Sequence, residues 1–130
     1  MRQSVIRSVY PVALFIHHVG GDDFVLVVPL RAAEAAAQAI VDRFDSAAPS
    51  MYGEEERARG FVRAVDRRGR ERHIPFVSVS IGIVPIAARH TPDAVALSRA
   101  AAEVKEVAKR RTRSSWAVDR RHAEETDPVR

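Results

Sequence analysis

The apolar positions of the chain alternate between strand-like runs and helix-like stripes. Residues 2–9 carry apolar side chains at helical spacing, and Pro11 ends that pattern. Residues 12–19 and 23–28 are two almost continuous apolar runs, separated by a Gly-Gly pair. Glycine supplies the positive φ angles that tight hairpin turns require, so the two runs predict a β-hairpin.

The next segment combines a helical stripe with an inserted arm. Residues 30–44 are alanine-rich and carry one apolar stripe, which predicts an amphipathic helix packed on a sheet. The charged residues 54–59 predict a short helix that ends near Gly60. An alternating run at 61–65 is followed by turn-forming residues, so we expect residues 50–73 to form an arm with its own hairpin.

Residues 76–86 show the clearest alternation in the chain. One predicted face is β-branched, and the other carries small residues that include Gly82, which would allow a helix or ligand to approach closely. Thr91-Pro92-Asp93 predicts a helix start with Thr91 as the cap, and that helix is expected to end around Arg111. Residues 115–118 predict a final strand, and residues 120–130 a disordered tail.

This order of elements predicts an α+β fold, with a mixed, mostly antiparallel sheet flanked by helices. The length of 130 residues suits one domain, expected over residues 1–119. The absence of cysteine excludes a disulfide framework and a thiolate zinc site. No apolar run is long enough for a membrane span and no signal peptide is evident, so we expect a cytoplasmic protein without a membrane partner.

The net charge of +4 favours an anionic partner. Nucleotide phosphate, nucleic acid and an acidic protein surface fit this charge equally well, and solvated helix faces are a commoner explanation. Lys105, Lys109 and Arg113 recur every four residues, so they are predicted to share one helix face that could hold a polyphosphate.

The predicted hairpin tip carries the clearest candidate chemistry. Asp22 and Asp23 follow the Gly-Gly pair, where they could bind Mg²⁺, although a simple polar turn explains the same residues. His17 and His18 precede the turn. Adjacent strand residues point to opposite faces, so at most one of them could join such a site, and a structural role is the commoner one.

The ordered set of motifs resembles the later two-thirds of the GGDEF domain, the family of bacterial diguanylate cyclases and their degenerate relatives. The resemblance covers residues 1–119 and rests on three motifs in the family's order. These are Gly20-Gly21-Asp22-Asp23-Phe24, Ser78-Val79-Ser80-Ile81-Gly82-Ile83, and the end of a helix carrying Ala108-Lys109 with Arg113 four residues on.

The resemblance implies a palm-like, ferredoxin-like sheet that lacks the first strand and helices. In active members, two facing protomers condense two GTP molecules into cyclic di-GMP. Carried onto matching positions, Asp22 would bind the metal, and Gly20 and Gly21 would leave room for the nucleotide. Lys109 and Arg113 would hold the terminal phosphates, while Asp23 stands in a catalytic signature position where the family usually has Glu.

Several departures from the family pattern imply a degenerate domain. The family's second metal-binding Asp lies upstream, whereas residues 1–19 contain no carboxylate. Residues 11–14 do not match the family's inhibitory product site, and Ala102 and Glu106 replace its usual Asp and Tyr. We therefore expect GTP and Mg²⁺ binding at most, without cyclase activity for this chain alone. The alternatives are a non-catalytic dimerisation or partner-docking module and, more weakly, a nucleic-acid-binding domain.

Overall fold

The computed structural model describes residues 15–18, 21–86 and 93–121. The predicted helix at 2–9, Thr91 and most of the predicted tail lie outside these residues. The strands are β1 (Phe15–His18), β2 (Phe24–Val27), β3 (Val62–Val65), β4 (Glu71–Ile74), β5 (Ser80–Ile83) and β6 (Ser115–Val118). The helices are α1 (Ala33–Ala47), α2 (Glu54–Arg59) and α3 (Ala94–Lys109), with 3₁₀ turns at Leu30–Ala32 and Ala48–Met51.

The strands form three separate two-stranded sheets. β1 pairs with β2 and β3 with β4, both antiparallel, whereas β5 pairs with β6 in parallel. The α+β class predicted from the sequence is confirmed, with short sheets flanked by helices. The expected single mixed sheet is not what the described strands form, because the three pairs share no hydrogen-bonded edge.

The core lies where α1 and α3 pack on opposite faces of the β5–β6 pair. Ser115 Oγ donates to the carbonyl oxygen of Ala108 on α3, whereas the next residue, Trp116, donates through Nε1 to Gln38 on α1. Adjacent strand residues thus reach different helices. The predicted stripes are confirmed in part: Leu30, predicted to begin the first stripe, lies before α1 and is 60% exposed. The buried apolar residues are Ala36, Ala37, Ile40, Val41, Phe44, Ala48, Val104 and Ala108.

β5 is shorter than the predicted strand at 76–86 because side chains satisfy the preceding backbone. The amide of Val77 donates to the Tyr52 hydroxyl (2.9 Å), and that of Val79 donates to Ser114 Oγ (2.9 Å). Ser114 Oγ in turn donates to Asp45 Oδ1 on α1 (2.5 Å). These side chains take the place that a neighbouring strand would otherwise occupy.

Helix α3 begins two residues later than its predicted start. Asp93 is its N-cap, and the Asp93 carboxylate accepts a hydrogen bond from the amide of Ala96 (2.7 Å). The predicted cap was Thr91, with Asp93 in the first turn. Asp93 takes the role because its carboxylate satisfies an amide that has no partner within the helix.

The short helix and the hairpin predicted for residues 50–73 are confirmed, and the hairpin extends to Ile74. Gly60 ends α2 with a φ of 83°, and β3 and β4 pair with Val62 opposite Ile74. The rings of Phe61 and His73 stack at 4.1 Å between centroids. The hairpin packs on α2 and belongs to a separate sheet from the core strands.

The arm's turn is organised by the carboxylate of Asp66. Asp66 Oδ1 accepts the amides of Arg68 (2.8 Å) and Arg70 (2.9 Å), and Oδ2 accepts Arg72 Nε (3.2 Å). The hydrogen bond from the Arg70 amide, followed by those from Arg68 and Arg72, lowers the pKa of Asp66 below its usual 3.8. All of these bonds favour the ionised carboxylate.

This lowered pKa predicts an acid-sensitive turn. Because the folded pKa lies below the unfolded value, Asp66 stabilises the turn fully above about pH 4 and loses that effect as the pH falls through the folded pKa. We expect the amide proton shifts of Arg68 and Arg70 to titrate together below pH 4 in an NMR pH series. Asp66→Asn should abolish that titration and Glu71→Gln should leave it intact; a titration that persists in Asp66→Asn would contradict this assignment.

No helix within the described part of the chain is long and apolar enough to cross a membrane.

Candidate functional site

The hairpin tip that carries the two predicted carboxylates is held by its own residues. β1 and β2 are joined by residues 19–23, so the connection is longer than the tight Gly-Gly turn predicted from the sequence. Gly21 adopts a φ of 52°, a conformation that favours glycine, whereas Gly20 lies outside the described residues. His18 Nε2 donates to the carbonyl oxygen of Gly21 (2.6 Å), and its ring stacks on Phe24.

This bond gives His18 a structural contact within the turn. A carbonyl oxygen can only accept, so Nε2 is the donor. A structural role is the one that the sequence favoured for this residue. The side chain of His17 is outside what the structure describes.

An ion pair links the tip to α3. Lys105 Nζ lies 3.1 Å from Asp23 Oδ1, between residues that are 82 positions apart in sequence. The Lys105 side chain is 31% exposed and the Asp23 side chain 63% exposed, so the pair contributes at most about 1 kcal/mol to stability. The pair matters because it brings the carboxylate of Asp23 and the ammonium group of Lys105 together. Asp22 is exposed at the same turn.

The backbone of Lys105 is positioned by close packing of α3 on β5. A Cβ atom added at Gly82 would lie 2.8 Å from the Lys105 nitrogen and 2.6 Å from Val104 Cγ1. Helix and strand can approach this closely only because position 82 has no side chain. The small-residue face predicted for this strand is thus the face that α3 occupies.

The other two predicted cationic residues are placed differently. Lys109 is the last residue of α3, and its Nζ lies 3.4 Å from Glu106 Oε1 on the same helix. Arg113 lies beyond the C-cap Arg110, in the segment between α3 and β6. The prediction that Arg113 continues the helix face of Lys105 and Lys109 is wrong, because the helix ends first. The four-residue spacing indicated Lys105 together with these two, whereas the family resemblance implied Lys109 and Arg113 alone. Among the described residues it is Lys105 whose side chain pairs with the tip.

Asp22 and Asp23 supply carboxylates, the kind of ligand that Mg²⁺ takes. Within the described ranges, no group of three or more histidine or carboxylate side chains is arranged to hold a metal ion. Mg²⁺ is commonly bound through one or two carboxylates, with substrate phosphates and water completing the octahedron. Asp22 and Asp23 therefore fit a Mg²⁺ ion that arrives with a nucleotide.

A second charged cluster lies at the far end of β6 and is structural. Both carboxylate oxygens of the buried Asp119 accept from Arg121, at 2.9 Å from Nε and 2.9 Å from Nη2, and Arg121 Nη1 also contacts Glu103 on α3. The bonds to Asp119 and then to Glu103 raise the pKa of Arg121 above its ordinary value. This cluster ties the end of β6 to α3, and no pattern in the sequence indicated it.

Comparison of the chain with protein-family models, with curated proteins and with solved structures found no match.

Proposed function

We propose that the chain is a degenerate GGDEF-type signalling domain that binds the phosphates of a guanine nucleotide with Mg²⁺ and does not form cyclic di-GMP on its own. The observation that carries this proposal is the ion pair between Asp23 and Lys105. It places the Asp23 carboxylate beside the Lys105 ammonium group, at the exposed turn that also carries Asp22. A Mg²⁺–triphosphate needs both kinds of group, because the metal binds carboxylate and the phosphates bind cations.

The same ion pair suggests how binding proceeds. In the free protein, the Asp23 carboxylate neutralises Lys105. A triphosphate presents more negative charge to Lys105 than one carboxylate does, and its Mg²⁺ attracts the carboxylates. Binding would therefore exchange the Asp23–Lys105 pair for phosphate–Lys105 and Mg²⁺–carboxylate contacts. Asp22 would hold the metal, and Lys109, one helical turn beyond Lys105, could reach the terminal phosphates if it left Glu106.

The proposal that this chain lacks cyclase activity on its own rests on its sequence. Condensation of two GTP molecules requires an attacking hydroxyl and an α-phosphate to be aligned between two protomers, with metal ions neutralising charge. In the GGDEF family that the chain resembles, a second carboxylate upstream of the hairpin also binds the metal. Residues 1–19 of this chain contain neither Asp nor Glu. Incubation with Mg²⁺ and GTP should therefore leave GTP unchanged. Efficient formation of cyclic di-GMP would refute this part of the proposal.

Calorimetric titration tests nucleotide binding. We expect Mg²⁺–GTP to bind the wild-type chain, with affinity reduced about fivefold or more in Asp22→Ala and in Lys105→Ala, because each removes one charged contact. Glu55→Ala, an exposed carboxylate on α2, is the matched control and should bind like wild type. Equal affinity in all four proteins, or no heat of binding in any of them, would contradict the proposal.

A dimerisation module is the second candidate, because two valines of β2 on the same face are exposed. Val25 and Val27 are each 46% exposed, while Phe24 and Leu26 are half-buried. A second copy of the chain could cover these valines. This candidate predicts dimers in sedimentation velocity and no nucleotide affinity, so Asp22→Ala would then change nothing.

A further inference from the structure

A groove of about 480 Å³ lies between α1 and β6. We call it the β6 groove; its walls include Gln38 and Val41 of α1, Trp116 and Val118 of β6, and Arg111 and Arg120 at the two ends of that strand. β5 contributes no residue to the lining, so the groove follows the side of β6 that faces away from β5. None of the residues of the candidate nucleotide site lines it.

The backbone of β6 has an outer edge that pairs with no other strand in the described part of the chain. The amides of Ser115 and Asp119 donate to the carbonyl oxygens of Val79 (3.0 Å) and Ile83 (2.8 Å) of the β5 segment. Because backbone groups alternate in direction along a strand, Trp116 and Val118 turn their N–H and C=O groups towards the opposite edge. No strand within the described residues pairs with that edge.

Trp116 and Val41 give the groove an apolar part between its polar side chains. Trp116 Nε1 donates to Gln38 Oε1 (2.8 Å), which holds the indole against α1. Val41 is buried beside it on the next turn of the helix. An edge strand beside a fixed helix forms a slot in which an added strand can place alternate side chains.

The charged side chains that line the groove are both cationic. Arg111 and Arg120 are both exposed, and no carboxylate is among the lining residues. Asp45 lies on the same helix, but it accepts the hydrogen bond from the buried Ser114. An extended segment lying along β6 would therefore meet a guanidinium group near each of its ends, which favours acidic residues there.

We propose that the β6 groove binds an extended acidic segment of a partner protein, which adds to β6 as a further strand. A polypeptide supplies donors and acceptors in alternation, which matches the alternating groups along the outer edge of β6. A phosphodiester backbone supplies acceptors alone and would leave the carbonyl groups of Trp116 and Val118 unsatisfied. The edge thus selects peptide over nucleic acid, and the two arginines select acidic peptide.

Fluorescence anisotropy with the full chain tests the proposal. The probe is a short fluorescein-labelled peptide of alternating valine and glutamate, expected to bind with a dissociation constant below about 1 mM. The double variant Arg111→Ala/Arg120→Ala should bind it about fivefold to tenfold more weakly, because two charge pairs are lost. Arg67→Ala/Arg68→Ala, in the exposed arm turn, removes the same charge elsewhere and should bind it like wild type.

Two further probes separate strand addition from simple charge attraction. The same peptide with alternate backbone amides N-methylated keeps its charge but cannot complete a strand ladder, so it should lose most of its affinity. Equal binding of the methylated peptide, equal losses in both double variants, or tighter binding of a single-stranded oligonucleotide that is weakened by Arg111→Ala/Arg120→Ala would each overturn the proposal. So would the absence of binding by the wild-type chain.

Discussion

Gly82→Ala is expected to lower the free energy of unfolding by about 1–3 kcal/mol, because an added methyl group overpacks the contact between β5 and α3. The new Cβ would lie 2.8 Å from the backbone nitrogen of Lys105 and 3.1 Å from the carbonyl oxygen of Ala101. Both are backbone atoms, so the helix itself must move. The displacement would carry Lys105 with it, and Mg²⁺–GTP affinity should fall as well.

Urea denaturation followed by circular dichroism measures this effect as a lower midpoint at unchanged slope. Gly53→Ala is the matched control. Gly53 has an ordinary φ of −68°, and its added Cβ would meet only the flexible end of the Glu56 side chain. We expect a change below about 0.5 kcal/mol there. Equal midpoints for both variants would show that helix and strand do not pack this closely in solution.

Phe44→Ala is expected to have the largest effect on stability, a loss of about 3–5 kcal/mol. Phe44 is 3% exposed and is the largest side chain in the buried set. It lies on α1, which packs against β5 and β6. Truncation would leave a cavity in a core built mostly from alanine and valine, and such small side chains cannot collapse to fill it.

The same denaturation measurement tests this prediction against Leu30→Ala. Leu30 is also a large apolar residue, but it is 60% exposed in the turn before α1. Its truncation should change stability by no more than about 0.5 kcal/mol. If Phe44→Ala were as stable as Leu30→Ala, the α1 stripe would not form the core.

Local patterns predicted the elements of this fold well. The helix at Glu54–Arg59, its end at Gly60 and the final strand at Ser115–Val118 all lie where spacing and turn residues indicated. Each depends on neighbours in sequence, which periodicity and capping report directly. The arm hairpin is predictable for the same reason.

Long-range polar contacts were not predictable in this way. The link from Asp45 through Ser114 to the backbone of Val79 joins three separate elements and shortens the strand expected at 76–86. The ion pair of Asp23 with Lys105 likewise depends on how α3 lies over β5. The four-residue spacing indicated Lys105 as one of three cations on a helix face. Only the packing at Gly82 and the position where α3 ends show that Lys105 lies at the tip and that Arg113 lies beyond the helix.

The central claim is that the hairpin tip and α3 together form a phosphate-binding site. The most direct test is a titration of the ¹⁵N-labelled chain with Mg²⁺–GTP, followed by two-dimensional NMR. We predict saturable shifts at the amides of Gly21, Asp22 and Asp23 and at Lys105, with the arm hairpin unchanged. An absence of shifts at these four residues under saturating nucleotide, or shifts confined to the β6 groove, would contradict the claim.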